Sequence, residues 1–466
     1  MPKIVVIGGG WAGCAAALTA QQAGAHVVLL ERADTLPGTG QVGGIMRNNG
    51  RYTATEEMIA LGAGELFRLT GENARHANVE FPGHKHASVY DVATMEARVR
   101  RYVQAQGIDV RTICRVTRVM ASRPEWNAAE SKESAKQSPS STEIASAQKP
   151  RPTMANDNSI TAVQSENGET FEADAFVDAT GTLGPQANCT KYGNGCAMCV
   201  SRCPTFGPRV SIAGKIGVAE YMATRVGGGF GAMSGSCKLH RESVDAGIIT
   251  ELDRAGVCVV PIPKTLLAEL KAKEEKLLAM KCCQQYALEA FAENLVLLDT
   301  GHVKLMAPFY PLADLRRIPG LENARYDDPY SGGIGNSIRF LAMSPRDNAL
   351  RVGGVRNLFC GGEKAGPLVG HTEAICTGAL AGHNAVRRAL GKELIELPIT
   401  LAVGDLIAFS NAQVRGGDLG SKYTFAGSVY FERMKSLGTY TTDQRIIRTR
   451  VHAAGLANLF TRRIAE

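Results

Sequence analysis

Three glycines near the start of this sequence have the spacing that a bound dinucleotide requires. They follow the apolar run I-V-V-I as Gly8-x-Gly10-x-x-Gly13 and lead into the small-residue segment C-A-A-A-L-T-A. In a strand–turn–helix context the glycines permit a tight turn, close approach of backbone N–H groups to a pyrophosphate, and close packing of helix on strand. The positive end of the helix dipole then faces the phosphates. The motif therefore predicts a dinucleotide site that includes Gly8, Gly10, Trp11, Ala12 and Gly13.

The residues after the motif support the same interpretation. Residues 26–30 read as a second strand, and Glu31 stands at its end, where a carboxylate accepts hydrogen bonds from a ribose. Arg32 follows it and is a second candidate contact. Residues 108–119 supply a third strand, which passes the adenine in such folds, so Val116 is a candidate backbone contact.

Two later strand ends carry the same kind of signal. The apolar run A-D-A-F-V-D ends in Ala179-Thr180-Gly181, and V-R-N-L-F-C ends in Gly361-Gly362-Glu363, before a second small-residue helix that begins near Gly370. A dehydrogenase that binds only NAD needs one such strand end. Three indicate a flavin held along its length, and we therefore predict FAD as cofactor.

Four cysteines close together form the second chemical signal. They are Cys189, Cys196, Cys199 and Cys203, and the last is followed by a proline. Thiolates at this spacing can converge on one 4Fe–4S cluster, and Cys-Pro is typical of iron–sulfur loops. The alternatives are a zinc site, which usually shows two C-x2-C pairs with a longer spacer, and free thiols. Because the cluster follows the 179–181 turn, we expect it within electron-transfer reach of the flavin.

The remaining cysteines and histidines carry weaker signals. Cys14, Cys114, Cys360 and Cys376 lie in apolar or small-residue segments and are expected to be buried packing residues. His84 and His86, in P-G-H-K-H, are expected in an exposed turn, since no third metal ligand is near in the sequence.

Composition limits the class of protein. The chain has 466 residues and a net charge of +7, which permits an anionic partner such as RNA without requiring one. The first strand starts at Lys3, so no export signal precedes it, and no apolar run reaches membrane-spanning length. Cysteines clustered in a chain without an export signal favour metal or redox chemistry over disulfides. We therefore expect a cytoplasmic protein that does not contact membranes.

The sequence predicts an α/β fold of the Rossmann-like, two-dinucleotide-binding (FAD/NAD(P)-binding) type, with an inserted α+β domain and a helical C-terminus. The low-complexity stretch, rich in Ser, Ala, Lys, Glu and Pro, lacks the apolar residues that a packed core requires. The predicted units are 1–121 (FAD-binding, first part), 122–160 (low-complexity surface insertion), 161–186 (FAD-domain strands), 187–345 (cysteine cluster and substrate domain), 346–405 (FAD-binding, second part) and 406–466 (helical).

Several longer motifs resemble those of a known family. They are I-M-R-N-N-G-R-Y-T-A-T-E-E-M from residue 45, R-I-P-G-L-E-N-A-R-Y from 317, N-L-F-C-G-G-E from 357 and V-G-H-T-E-A-I-C-T-G-A-L-A-G-H-N-A from 369. Together they resemble the FAD-dependent tRNA-modification flavoproteins, namely the folate- and FAD-dependent tRNA uracil-5 methyltransferases (TrmFO) and their relative MnmG/GidA. The resemblance covers residues 1–120 and about 300–405.

The resemblance implies FAD contacts residue by residue. In that family FAD is bound by the matching glycines, and methylenetetrahydrofolate can stack on the flavin. The implied FAD contacts here are Gly8, Gly10, Gly13, Glu31, Gly361, Gly362, His371, Thr372 and Glu373.

Two features depart from the methyltransferases. Their reactive cysteine precedes the E-E-M helix, whereas residues 43–49 here read G-G-I-M-R-N-N, which argues against uracil methylation. Their mid-chain domain also lacks the four-cysteine cluster. We take Arg47, Asn48 and Asn49 as candidate substrate contacts, and the sequence identifies no catalytic residue.

These observations lead to one main hypothesis and two alternatives. The main one is an FAD-dependent oxidoreductase whose 4Fe–4S cluster passes electrons to a protein partner, with a tetrahydrofolate derivative or NAD(P)H as the small substrate. The alternatives are a folate- and FAD-dependent tRNA-modifying enzyme with a structural cluster, and a non-catalytic electron-transfer subunit. The charge neither supports nor excludes tRNA, and a homo-oligomer is compatible with each.

Overall fold

The computed structural model describes residues 1–122, 158–181, 211–224, 232–233, 237–273, 293–307, 310–327, 338–339 and 341–465. Its strands are β1 (Lys3–Ile7), β2 (His26–Leu30), β3 (Ile45–Met46), β4 (Ala74–Phe81), β5 (His84–Tyr90), β6 (Asp109–Arg111), β7 (Val116–Ala121), β8 (Ile160–Ser165), β9 (Thr170–Glu172), β10 (Ala175–Asp178), β11 (Tyr221–Met222), β12 (Ala232–Met233), β13 (Cys237–Leu239), β14 (Val257–Pro261), β15 (Asn294–Asp299), β16 (Val303–Leu305), β17 (Ile338–Arg339), β18 (Ala342–Met343) and β19 (Leu358–Cys360).

Its helices are α1 (Trp11–Gln22), α2 (Gly40–Gly43), α3 (Arg51–Ala60), α4 (Glu65–Glu72), α5 (Met95–Ala105), α6 (Ile212–Lys215), α7 (Ala246–Ala255), α8 (Lys264–Lys273), α9 (Leu312–Leu315), α10 (His371–Ala389), α11 (Ala402–Arg415), α12 (Ser428–Ser436) and α13 (Gln444–Ala453). Short 3-10 turns cover Arg241–Ser243, Gly362–Lys364 and Leu459–Thr461.

The first core of the fold is built on a five-stranded parallel sheet, in the order β19-β10-β1-β2-β6. Strands β1 and β2 consist largely of valine, isoleucine and leucine, β10 has the sequence A-F-V-D, and the apolar side chains of all three are almost completely buried. Continuous apolar runs of this kind are typical of parallel strands that are covered on both faces. The sheet confirms the predicted Rossmann-like fold class.

Helices α1 and α10 pack unusually close together beside this sheet. A Cβ atom at Gly378 would overlap the backbone of Ala12, and one at Gly382 would overlap the backbone of Ala16. The hydroxyl of Thr19 also donates a 2.8 Å hydrogen bond to the carbonyl oxygen of Ala379. Small residues at successive turns of both helices therefore allow the two backbones to touch, which brings their N-termini to one place.

A separate three-stranded antiparallel sheet, β7-β8-β9, follows the parallel one. This arrangement corrects the assignment of the third parallel strand, which is β6 alone: Val116 begins β7 and pairs with Ser165 in the antiparallel sheet. Strands β7 and β8 bracket the low-complexity stretch, and the N–H of Ser122 donates a 2.9 Å hydrogen bond to Ser159. The stretch itself, predicted as a surface insertion, lies outside the described residues.

A second core is built on the four-stranded antiparallel sheet β13-β16-β15-β14. One face of this sheet carries the apolar cluster that includes Leu239, Leu297 and Leu305, which also receives Leu252 of α7 and Leu315 of α9. The other face packs against the small sheet β3-β5-β4 through a smaller apolar cluster.

Helices α3 and α4 are separated by residues 61–64, and Gly50 is the N-cap of α3. One prediction of local structure was wrong. His84 and His86 lie in strand β5 and are partly buried, with their rings stacked 4.2 Å apart, so they do not form an exposed turn.

The last part of the chain is helical, as predicted, with α11, α12 and α13 following α10. Helices α11 and α13 both contact α3. The carboxylate of Glu57 in α3 accepts hydrogen bonds of 2.9 Å from the N–H groups of Ala402 and Val403, the first turn of α11. Within the described ranges, no helix is both long enough and apolar enough to cross a bilayer.

Candidate functional site

The three glycine-marked strand ends predicted from the sequence meet at one edge of the parallel sheet. Gly8 follows β1 with a φ of +105°, and a Cβ atom there would overlap the carbonyl group of Ala179, which follows β10. The N–H of Gly361, after β19, donates a 3.0 Å hydrogen bond to the carbonyl oxygen of Asp178. Carboxyl ends of parallel strands form the usual ligand crevice of open α/β sheets. The described structure therefore has a crevice lined by backbone.

Two helix N-termini point toward this crevice. Gly10 is the N-cap of α1 and Gly370 the N-cap of α10, and neither helix start is capped by a side chain. A Cβ atom at Gly362 would lie 3.0 Å from the Cβ of Ala12, so the third strand end also reaches the start of α1. Two helix N-termini with uncapped N–H groups provide the positive potential that phosphates need.

Aromatic residues fill the space between the two helix starts. The ring of Trp11 lies 5.9 Å from that of His371 and 6.3 Å from that of Tyr90. The hydroxyl of Tyr90 lies 3.3 Å from Nδ1 of His371 and donates a 2.5 Å hydrogen bond to the carbonyl oxygen of Gly40. A Cβ atom at Gly43 would overlap the ring of His371. The loop of residues 38–44 is thus held directly against the start of α10.

Glu31 holds the first glycine loop from the end of β2. Its Oε2 accepts a 2.6 Å hydrogen bond from the N–H of Gly9, and its Oε1 accepts one of 2.8 Å from the N–H of Ala33. Burial raises the pKa of this carboxyl group, against the effect of these backbone hydrogen bonds. The N–H of Cys114 donates a 2.8 Å hydrogen bond to the carbonyl oxygen of Glu31 and so ties the segment before β7 to this strand end.

The start of α10 contains a buried polar group that suits a bound cofactor. Thr372 is completely buried, and its hydroxyl has no hydrogen-bond partner among the described residues. A buried hydroxyl normally has a partner, and this one stands in the first turn of a helix that faces the crevice. Several glycines of the crevice cannot accept a Cβ atom, and Glu31 places a carboxylate where such folds bind a ribose. Together with Thr372, these residues fit a long dinucleotide such as FAD.

The side chain of Glu373 is used inside the protein. It accepts hydrogen bonds from Nε of Arg51 at 3.2 Å, from the hydroxyl of Thr424 at 2.6 Å and from the N–H of Phe425 at 2.8 Å. Arg51 is also buried and donates to the carbonyl oxygen of Val369 at 3.2 Å. This buried ion pair joins α3, α10 and the segment before α12. The carboxylate of Glu373 therefore positions the start of α10.

The predicted substrate contacts have different surroundings. Asn48 is fully buried, and its Oδ1 accepts a 3.1 Å hydrogen bond from Arg51. Asn49 is nearly buried and donates a 3.1 Å hydrogen bond to the carbonyl oxygen of Ala426. Both amides thus hold the loop in place. Arg47 is partly exposed and forms a 2.6 Å ion pair with Glu56.

A buried lysine lies directly behind the third strand end. Lys364 has no exposed surface; its ammonium group forms an ion pair with Glu220 and lies 3.7 Å from the carboxylate of Asp178. Asp178 in turn accepts hydrogen bonds from the N–H of Thr180 at 3.1 Å and from its hydroxyl at 2.6 Å. This network fixes the turn of residues 179–181, which the sequence predicted to approach the flavin.

The predicted metal ligands Cys189, Cys196, Cys199 and Cys203 lie outside the described residues. Among the described residues, no group of three or more His, Cys, Asp and Glu side chains could hold a metal ion. Cys14, Cys114, Cys360 and Cys376 are buried, as expected, and burial raises the pKa of each thiol.

The structure thus brings together most of the predicted cofactor residues, including Gly8, Gly10, Trp11, Ala12, Gly13, Ala179, Gly361 and Gly362. Arg32, Gly181 and Glu363 follow the same strand ends. Sequence reasoning missed Arg51, Tyr90 and Gly378. The spacing Gly378-x3-Gly382 was a signal for close helix packing. No local pattern marks Arg51 or Tyr90, because their partners Glu373 and His371 are distant in the sequence.

The fold and this crevice define a Rossmann-type dinucleotide-binding protein of the two-dinucleotide class. The chain belongs to the family described as Glucose inhibited division protein A (GidA), which it matches over residues 3–278 and 311–393. This membership confirms the assignment to the FAD-dependent tRNA-modification family, and with it the prediction of a flavoprotein enzyme.

Two curated relatives match shorter segments. The chain is 38% identical over 97 residues to the methylenetetrahydrofolate–tRNA-(uracil-5-)-methyltransferase TrmFO of Caldicellulosiruptor bescii, a match that covers 20% of this chain and 21% of that protein. It is 41% identical over 88 residues to the tRNA uridine 5-carboxymethylaminomethyl modification enzyme MnmG of Chlorobaculum tepidum, covering 18% and 13%. The matches thus span about a fifth or less of the length of these relatives.

A solved structure supports the fold. The structure of Aquifex aeolicus GidA in one crystal form superposes with a TM-score of 0.59 at 16% identity, covering 97% of this chain and 76% of that one. A second crystal form gives a TM-score of 0.57 at the same identity. At this level of identity the comparison concerns the fold alone.

Proposed function

We propose that this protein is an FAD-dependent enzyme that modifies tRNA at a uridine base. The main observation in support of FAD is the crevice where three glycine-marked strand ends meet the N-termini of α1 and α10. The proposal for tRNA is supported by the family membership and by the two relatives, both named for modification at a tRNA uridine or uracil. A tetrahydrofolate derivative or NAD(P)H is proposed as the small co-substrate.

The residues have distinct roles in this proposal. The backbone of Gly8, Gly10 and Gly361 holds the phosphates and ribityl chain of FAD, and Glu31 orients the adenosine ribose. Thr372, at the start of α10, donates its free hydroxyl proton toward the cofactor. When bound, FAD supplies hydride or electron exchange. His371 and Tyr90 hold the loop that covers this part of the crevice.

The test is a nucleoside analysis of tRNA treated with the purified enzyme. Total tRNA from a host that lacks this protein is incubated with the enzyme and with methylenetetrahydrofolate, NAD(P)H or both, and the digest is analysed by mass spectrometry. A uridine-derived nucleoside that increases only with enzyme supports the proposal. Its absence with every co-substrate, in protein that holds FAD, argues against tRNA as the substrate.

A second proposal concerns the four cysteines, whose spacing favours a 4Fe–4S cluster over zinc. With such a cluster, the protein exchanges single electrons with a protein partner, and an oxidoreductase function gains support. Anaerobically purified protein should then contain iron and acid-labile sulfide, with absorbance that dithionite bleaches. Zinc without iron would exclude the electron relay and leave the tRNA-modifying function with a structural metal.

A further inference from the structure

Helix α13 presents two arginines to solvent. The side chain of Arg445 is 92% exposed, and its Nε lies 3.8 Å from Oδ1 of Asp443, which is too long for an N–H···O hydrogen bond. Arg448, three residues further along the helix, is exposed and forms no hydrogen bond or ion pair with any residue in the described ranges. The exposed side of α13 therefore carries two guanidinium groups that no carboxylate holds by a hydrogen bond.

The carboxylate of Asp443 serves the helix itself. Its Oδ1 accepts hydrogen bonds from the N–H groups of Arg445 at 2.8 Å and of Ile446 at 3.4 Å, which caps the start of α13. The first of these bonds is the main cause of the lowered pKa of Asp443. An exposed ion pair contributes little in water, so the guanidinium group of Arg445 stays available to another anion.

A surface cavity of about 550 Å³ lies against the same helix. The described residues that line it are Asp443, Arg445, Ile446, Thr449, Arg450 and Ala453. The side chain of Ile446 is 50% exposed, so part of the lining is apolar. Arg450 fixes the neighbouring chain, because its guanidinium group donates to the carbonyl oxygens of Thr439 at 2.7 Å and of Gly438 at 3.1 Å. The cavity thus offers a ligand the cation of Arg445 beside an apolar surface.

The start of α13 is hydrogen-bonded to the element that positions the cofactor crevice. Nε2 of Gln444 donates a 3.3 Å hydrogen bond to the hydroxyl of Tyr52, and the hydroxyl of Thr53 donates one of 2.7 Å to the carbonyl oxygen of Thr441. Tyr52 and Thr53 lie in the first turn of α3, which begins with Arg51, the residue that holds the start of α10. The two arginines therefore lie on a helix that is anchored beside the crevice.

Half-buried aromatic side chains surround this anchor point. The ring of Tyr52 lies 4.9 Å from that of His86, and the guanidinium group of Arg47 lies 5.3 Å from the centre of the Tyr52 ring. Nε2 of His86 lies 3.2 Å from the hydroxyl of Tyr440. Unpaired nucleobases stack on aromatic rings and on arginine, and arginine binds phosphate through two parallel hydrogen bonds. Exposed arginines next to aromatic rings therefore suit RNA better than an acidic protein segment.

We infer that the exposed side of α13 binds the phosphate backbone of RNA, with Arg445 and Arg448 as phosphate ligands and the cavity beside them as the place of an adjoining sugar or base. The inference rests on the proposed tRNA substrate and names the surface that holds it. Two arginines three residues apart, about 5 Å along the helix axis, can contact neighbouring phosphates of one strand. RNA bound there lies next to the α3 turn that borders the crevice.

The experiment measures the affinity of the whole FAD-loaded protein for total tRNA at several salt concentrations. The wild type is compared with Arg445→Gln/Arg448→Gln and with the matched control Arg98→Gln/Arg101→Gln. The control arginines are also exposed and three residues apart, on α5 beside β6, and neither forms an ion pair with a described residue. We expect the α13 variant to lose about tenfold or more in affinity, and its slope of log affinity against log salt to fall by about 2. The control should stay within about twofold of the wild type, because salt screens distant charges.

Two further variants separate phosphate binding from a structural role. Arg445→Lys/Arg448→Lys keeps both charges and should keep the salt slope of the wild type, although lysine cannot bind a phosphate through two parallel hydrogen bonds. Arg448→Gln alone removes one exposed side chain and should lower the slope by about 1, which covers the case in which the double glutamine variant does not fold. Unchanged slopes in both glutamine variants, an equal loss in the α5 control, or no recovery with lysine overturns the inference.

The remaining outcomes concern another occupant of this surface and the proposed function itself. Ile446→Ser keeps both arginines and should change neither the tRNA affinity nor the sedimentation of the protein. If Ile446→Ser alters sedimentation while the glutamine variants bind tRNA like the wild type, the surface joins copies of the protein and the inference is wrong. A wild type that binds no tRNA at any salt concentration overturns the proposed function as well. Binding of tRNA that does not depend on Arg445 and Arg448 overturns this inference alone.

Discussion

The carboxylate of Glu31 accepts a 2.6 Å hydrogen bond from the backbone N–H of Gly9, in the middle of the first glycine motif. The residue expected to bind a ribose therefore also holds the loop expected to bind phosphates. A second acceptor oxygen binds the N–H of Ala33. One side chain thus couples the two ends of the adenosine half of the site.

Glu31→Gln should weaken FAD binding while leaving the fold intact. Glutamine keeps one acceptor oxygen but replaces the other with an amide that cannot accept from a backbone N–H. We expect the dissociation constant for FAD to rise about tenfold or more, the usual effect of losing one charged hydrogen bond. Release of flavin fluorescence on dilution measures this, with Glu172→Gln, an exposed carboxyl in β9, as the control. Equal affinity in both variants would show that Glu31 has no role in binding.

Gly378→Ala should destabilise the protein because the added methyl group overlaps the backbone of Ala12 in α1. Overpacking of this kind costs about 1–3 kcal/mol, and the helix starts would move apart. Gly71→Ala is the matched control, since it also lies in a helix but a Cβ atom there meets nothing within 4 Å. The control should be stabilised by about 0.5–1 kcal/mol. Urea unfolding measures both values, and equal stability of the two variants would refute the close helix contact.

Arg51→Met should be strongly destabilising because it leaves the carboxylate of Glu373 buried without its cation. Breaking a buried ion pair from one side costs about 3–5 kcal/mol. The comparison is Arg68→Met, which breaks exposed pairs with Glu65 and Glu72 on the surface of α4 and should cost less than about 1 kcal/mol. Chemical unfolding at neutral pH gives both values. A loss in Arg51→Met no larger than in Arg68→Met would mean that the pair does not fix the start of α10.

Glu57 should make the protein less stable as the pH rises, whereas a carboxyl group with a lowered pKa makes a protein more stable as the pH rises. Burial raises its pKa to about 7, although the N–H groups of Ala402 and Val403 and the charge of Arg450 oppose the shift. Its folded-state pKa lies above the ordinary value of 4.5, so the folded state binds the proton more tightly. The stability that this proton on Glu57 contributes to the folded state is fully present below about pH 4.5. It falls as the pH rises to about 7 and is absent above that pH.

The measurement is the free energy of unfolding at several values between pH 5 and 8, for the wild type and Glu57→Gln. The difference between the two should change by roughly 1.4 kcal/mol per pH unit below about pH 7 and level off above it. Glu172→Gln should parallel the wild type at every pH. A constant difference between wild type and Glu57→Gln would show that the carboxyl group is not protonated in the folded protein.

The strands and glycine turns of the cofactor site could be predicted because they depend on local patterns. Apolar runs of four or five residues followed by glycine occur at Gly8, Ala179–Gly181 and Gly361, and the structure brings all three together. Parallel pairing with short crossovers leaves few other arrangements for such strands. The cofactor class therefore follows from the order of motifs along the chain.

The polar network around the start of α10 could not be predicted in this way. Arg51 and Glu373 are 322 residues apart, and Thr424 and Phe425 follow another 51 and 52 residues later. The sequence does not show that Asn48, a candidate substrate contact, is fully buried. Burial of a polar group depends on partners from other segments, which no window of sequence contains. Val116, expected in the third parallel strand, begins β7 of the antiparallel sheet instead, because pairing with a distant strand decides which sheet a β-residue joins.

The parallel sheet is assembled from distant parts of the chain, and this has a consequence for biosynthesis. Strands β1 and β2 leave the ribosome early, but β10 separates β1 from β19, and α10 follows only at His371. The β1 and β2 side of the crevice is therefore synthesised long before the α10 side. A nascent chain shorter than about 390 residues lacks the helix whose start closes the site. We therefore expect tight binding of the flavin only late in synthesis, after α10 has been translated.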